Sequence, residues 1–60
     1  MTKSETREIR IIERYLAAGL VDTAARGASA LLRAASPRSI REIREWAKAH
    51  GLDKHPEFIA

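Results

Sequence analysis

Apolar residues along this chain recur at intervals of three and four, the spacing that gathers side chains on one face of an α-helix. Ile9, Ile12 and Leu16 share a face early in the sequence, and Ile11 and Tyr15 widen it. Ile40, Ile43, Ala47 and His50 share another, with Trp46 at its edge. The stretch between them is of a different kind. Ala24, Ala28, Leu31 and Ala35 line one side, Ala25 and Leu32 continue it, and Gly27, Ala30 and Ala34 cover the flank. Asp22, Arg26, Ser29 and Arg33 leave only a narrow polar strip. A slim helix that is apolar nearly all round belongs between two partners, so the pattern predicts three helices with the second in the middle. No segment alternates with period two, and no strand is expected.

Punctuating residues set the boundaries. The first helix is expected over residues 3–18, opened by Thr2 and Glu5 at capping-box spacing and closed by Gly19, with Leu20 folding back on the last turn. The second is expected over 22–35 with Asp22 as its N-cap. Gly27 inside it costs about 1 kcal/mol relative to alanine, which implies that a neighbouring helix approaches closely there. Ser36-Pro37 breaks the pattern, and a third helix is expected over 37–50, with Ser39 and Glu42 as a second capping box. Gly51-Leu52 repeats the stop signal of Gly19-Leu20. Residues 51–60 contain Pro56 and read as a short extended tail, which Phe58 and Ile59 lay across the core, with a frayed end as the alternative.

The fold class is therefore all-α: one compact three-helix domain over residues 1–60, its second and third helices resembling a helix-turn-helix in outline. The apolar arc of the first helix, from Ile11 through Tyr15 to Ile9, is wider than one small-residue neighbour covers. Either the tail or a second copy of the chain is expected to fill it. A chain of 60 residues buries only about 60% of the surface its unfolded form exposes, so its stability is marginal. It has no cysteine, which removes disulfides and thiolate metal sites and leaves helix packing or homodimerisation as the supplements.

Lack of cysteine also fits a reducing compartment. No apolar run approaches the roughly 20 residues of a membrane span, and none follows Lys3 in the manner of a secretory signal. A cytoplasmic protein is expected.

Eleven basic residues against eight acidic ones give a formal charge of +3, a weak pointer to an anionic partner. The arrangement says more than the sum. Lys3, Arg7, Arg10 and Arg14 fall within about 60° of one another on the first helix, while Glu5, Glu8 and Glu13 lie off that stripe. Lys3–Arg7 and Arg10–Arg14 are like-charged i,i+4 pairs, each unfavourable by about 0.2–0.5 kcal/mol. On the third helix Arg41, Arg44 and Lys48 form one flank, with Glu42 and Glu45 rotated away.

Segregated cations neutralise phosphates and gain from counterion release. In a helix-turn-helix over 22–50, the start of the later helix faces base edges, which nominates Arg38, Ser39, Arg41, Arg44 and Lys48 as contacts. Lys3, Arg7, Arg10 and Arg14 would add phosphate contacts, and double-stranded DNA is the expected partner. The competing explanation is a solvated face whose arginine stems cover apolar surface. The competing function is a protein-interaction module, an adaptor or inhibitor, docking through Ile11, Tyr15 and Trp46 or forming a homodimer.

Chemistry beyond binding finds no support. His50 and His55 are separated across a helix-ending glycine, not on one helical face as metal pairs require. Gly19, Gly27 and Gly51 are isolated, so there is no phosphate-cradling loop. No cofactor, metal, catalytic residue or small-molecule substrate is expected.

Overall fold

A computed structural model of the chain describes residues 1–58. Three helices follow one another: α1 (Lys3–Ala17), α2 (Val21–Ala34) and α3 (Pro37–Ala49), then a single 3-10 turn over Leu52–Lys54. No strand occurs among the described residues. α2 packs against α1 on one side and α3 on the other, the middle position its apolar girth implies. Ile9 and Ile12 from α1, Leu31 and Leu32 from α2, Ile43 from α3 and Leu52 beyond it form the core, with Ala24, Ala25, Ala28 and Ala47 between them. The alanines let the helices approach closely. At Gly27 a Cβ would lie 3.1 Å from Cγ1 of Ile12, so α1 supplies the close neighbour that the glycine implied.

α1 begins with the expected capping box. Thr2 Oγ1 accepts the Glu5 N–H at 3.1 Å, and Glu5 Oε1 accepts the Thr2 N–H at 2.9 Å. It ends at Gly19, whose φ of +80° only glycine adopts without strain. There the Leu20 N–H reaches the Tyr15 carbonyl at 2.9 Å and the Gly19 N–H reaches that of Leu16 at 3.0 Å, a Schellman motif.

The next two starts differ from expectation. α2 opens at Val21 with Leu20 as its N-cap, so Asp22 sits inside the first turn and not at its cap. The position still suits a carboxylate, because the helix dipole is positive there. α3 opens at Ser36, with Pro37 at its first position. Ser39 therefore lies inside the helix, and its expected capping box with Glu42 is replaced by a contact with α1, described below.

The tail is not extended. Its 3-10 turn packs on α2 and α3, with Leu52 1% exposed. His55 follows, its Nε2–H donating to Asp22 Oδ1 at 2.8 Å while its Nδ1 accepts the Glu57 N–H at 3.1 Å. Those two partners demand the tautomer with hydrogen on Nε2. Arg26 Nε donates to Glu57 Oε1 at 3.3 Å, and Phe58 rests on the core. Ile59 lies outside the described residues. Asp22 and Arg26 are turned about 140° around α2 from the Gly27–Leu31 edge that meets α1. The tail thus lies on the side of the molecule away from α1, and Ile11 and Tyr15 keep 37% and 39% of their surface.

Candidate nucleic-acid interface

One carboxylate decides how α3 is presented. Glu5 is 7% exposed. Its Oε1 accepts the Ser39 hydroxyl at 2.7 Å as well as the Thr2 N–H, and its Oε2 accepts the Ser36 N–H at 2.9 Å. Ser36 Oγ lies 3.1 Å from Ser39 Oγ and completes the cluster. Glu5 therefore closes the start of its own helix and the start of α3 together. The Ser39 hydroxyl, with the Thr2 and Ser36 backbone N–H groups, holds its carboxyl down to about 2, against an ordinary 4.5, and outweighs its burial. Ser39 was expected among the nucleic-acid contacts. At 1% exposure, with its hydroxyl held by Glu5, it belongs to the interior instead.

Farther along, Glu13 makes the second bridge from α1 to α3. Its Oε2 accepts the Trp46 indole N–H at 3.1 Å and lies 4.0 Å from His50 Nε2. The His50 and Trp46 rings sit 5.3 Å apart, and His50 Nδ1 donates to the Trp46 carbonyl at 2.9 Å, closing the last turn of α3. Trp46 was expected at the edge of the core, with a role as anchor for a protein partner as the alternative. It is half-buried against the core with its one donor engaged inside the chain, so it is not a free anchor.

These bridges fix which edge of α3 faces α1: the one carrying Ser39 and Trp46. At about 100° per residue, Arg41, Arg44 and Lys48 centre roughly 180° from that edge. All three are exposed, as is Arg38 at the start of the helix. Arg41 Nε pairs with Glu45 Oε1 at 3.5 Å across one turn, a link between exposed side chains.

Arg33 adds to this side of the molecule, and the sequence pattern placed it only in the polar strip of α2. It follows Asp22 and Arg26 down the edge of α2 that bears the tail. Unlike Arg26 it has no ion pair among the described residues.

The stripe on α1 lies elsewhere. Lys3, Arg7, Arg10 and Arg14 centre about 160° from the core-facing row Glu5, Ile9, Ile12 and Leu16, and so point straight outward. All four are exposed and form no ion pair among the described residues. Glu13, the α1 acid that stands one turn from Arg10, is drawn to α3 by the Trp46 indole. The structure thus leaves Arg41, Arg44 and Lys48 on the side of α3 turned from α1, apart from the α1 set.

His50 and His55 sit apart, one on Trp46 and Glu13 and the other on Asp22 and Glu57. No helix among the described residues is long and apolar enough to cross a membrane. Comparison with protein-family models, curated proteins and solved structures found no match.

Proposed function

We propose that this is a small non-enzymatic accessory or regulatory protein that binds duplex DNA through the outward face of α3. The observation that carries the proposal is the exposure of Arg41, Arg44 and Lys48 on the side of α3 remote from α1, with Arg38 exposed on the flank of its first turn and Arg33 exposed on α2. A helix that begins at a proline after a short turn and carries arginines through its first two turns has the form of a helix set into the major groove. Arginine suits that role, because its planar fork matches both phosphate and the guanine edge. Phosphate contacts supply most of the affinity and make it depend on salt.

Anisotropy of a labelled mixed-sequence duplex, titrated at about 50 and about 200 mM salt, tests the proposal. The expected result is binding that weakens by two or more orders of magnitude at the higher salt, and that the double variant Arg41→Glu/Arg44→Glu weakens by about tenfold or more while keeping its helical circular dichroism. Salt-independent affinity, or full affinity in that variant, would remove α3 from the mechanism.

A second reading rests on a separate observation. Ile11, Tyr15, Leu20 and Val21 expose 37–50% of their surface along the later half of α1 and the turn that follows. Here the protein is an interaction module, and a second copy of the chain is the occupant to test first. A dimer mass in sedimentation that Tyr15→Ser returns to monomer supports this reading; a monomer at all concentrations opposes it.

A further inference from the structure

We infer that the outer stripe of α1 is a second phosphate-binding face, so that a single chain joins two segments of duplex DNA. The inference rests on the α3 reading above and extends it to a surface that α3 cannot share. Lys3, Arg7, Arg10 and Arg14 point outward from α1, whereas the α3 cations point away from α1 altogether. One straight duplex laid on α3 therefore does not reach the stripe.

Three observations make the stripe more than solvated surface. Its cations have no acidic partner among the described residues, although α1 carries Glu5, Glu8 and Glu13. Glu13, the acid one turn from Arg10, is turned to α3, where it accepts the Trp46 indole N–H. The like-charged pairs Lys3–Arg7 and Arg10–Arg14 are each unfavourable by about 0.2–0.5 kcal/mol in the free protein, and a bound row of phosphates would reverse that sign. The geometry also fits. From Lys3 to Arg14 the helix rises about 16 Å, a length over which one DNA strand presents several phosphates at about 3.4 Å each. Between Lys3, Arg7 and Arg10 the surface is a shallow open depression and not a closed pocket, as an extended strand requires.

The molecule is 28 × 19 × 17 Å, so the two faces stand farther apart than the Debye length of about 10 Å at 0.1 M salt. Charge on one face is largely screened from the other, and salt weakens the repulsion between the two duplexes.

The test is a bridging assay on the whole chain: a biotinylated duplex on beads, the protein, and a second fluorescent duplex of unrelated sequence. Wild type is expected to retain the second duplex several-fold above beads without protein. Arg7→Gln/Arg10→Gln should bring retention to background while its anisotropy with one duplex stays within about threefold of wild type. Wild type that binds the immobilised duplex but captures no second one overturns this inference and leaves the α3 reading standing. Equal capture by wild type and the α1 variant also overturns it. Absence of binding to the first duplex overturns both readings together. Sedimentation of the free proteins closes the remaining route: a wild-type dimer that the α1 variant dissociates would assign bridging to two α3 faces and overturn the single-chain mechanism.

Discussion

Glu5 and Glu13 stand on the same helix, and both reach across to α3, yet they meet opposite ends of it. Glu5 lies where α1 and α3 both begin, among backbone N–H groups at the positive ends of two helix dipoles. It is nearly sealed from water and its carboxyl is held at about 2. Glu13 lies beside His50, which closes the last turn of α3, where the helix dipole disfavours an anion. There the indole N–H of Trp46 stands in for a backbone donor, with the His50 ring 4.0 Å away, and the glutamate side chain stays 45% exposed. The same residue type thus makes a dry staple at one end of the bundle and a wet latch at the other. What separates them is the direction of the helix they face.

The largest effect should come from the staple. Glu5→Gln places an amide N–H₂ among groups that are themselves donors, leaving buried hydrogen-bond capacity unmet. A fall in Tm of the order of 10 °C is expected by circular dichroism, and an unchanged Tm would reduce Glu5 to an ordinary cap. The acid limb of stability should follow it. The folded pKa of about 2 lies below the ordinary 4.5, so the stabilisation from Glu5 is complete above about pH 4.5 and is lost as the pH falls toward 2. Glu5→Gln should flatten the slope of Tm against pH across that window, and an unaltered slope would assign acid unfolding to other carboxylates.

Ser39→Ala comes next. It removes the shortest of the bonds to Glu5 while leaving both backbone donors. A Tm loss of several degrees is expected, smaller than that of Glu5→Gln, together with a partial flattening of the acid slope. A loss as large as that of Glu5→Gln would mean that the hydroxyl, not the paired helix starts, holds the carboxylate.

The latch should yield least. Glu13→Gln is expected to change stability by less than about 0.5 kcal/mol, as for other exposed polar links. Trp46 fluorescence should report the altered indole contact even so. A loss comparable to that at Glu5 would erase the contrast between the two ends.

Much of this architecture was legible because it depends on local periodicity. The spacing of Ile9, Ile12 and Leu16 marked the inner face of α1, and the girth of α2 placed it centrally. Gly19 and Gly51 ended their helices at φ of +80° and +73°, conformations that the sequence needed glycine to supply. The basic stripe of α1 was likewise readable, since four residues on one helix keep their mutual angles in any fold. The starts of α2 and α3 were less legible. Leu20 and Ser36 take the N-cap positions without a side-chain bond to the helix backbone, and the carboxylate and hydroxyl that looked like caps, Asp22 and Ser39, go to His55 and Glu5.

What the sequence determined by itself, then, is what rests on contacts within a turn or two of the chain: three helices, their order, their inner faces, and the segregation of charge on each. The tertiary structure alone decided where those faces point. Glu5 meets Ser39 across 34 positions, Trp46 meets Glu13 across 33, and His55 meets Asp22 across 33. Each joins polar residues that local rules assign to caps or solvent. Those three contacts bury Ser39, engage Trp46, turn the tail away from α1, and leave the cations of α1 and α3 on separate sides. The physical reason for the first two is that a slim helix between two partners lets its neighbours meet through long polar side chains at the ends of the bundle, and for all three that a helical period carries no record of a contact made some thirty residues away.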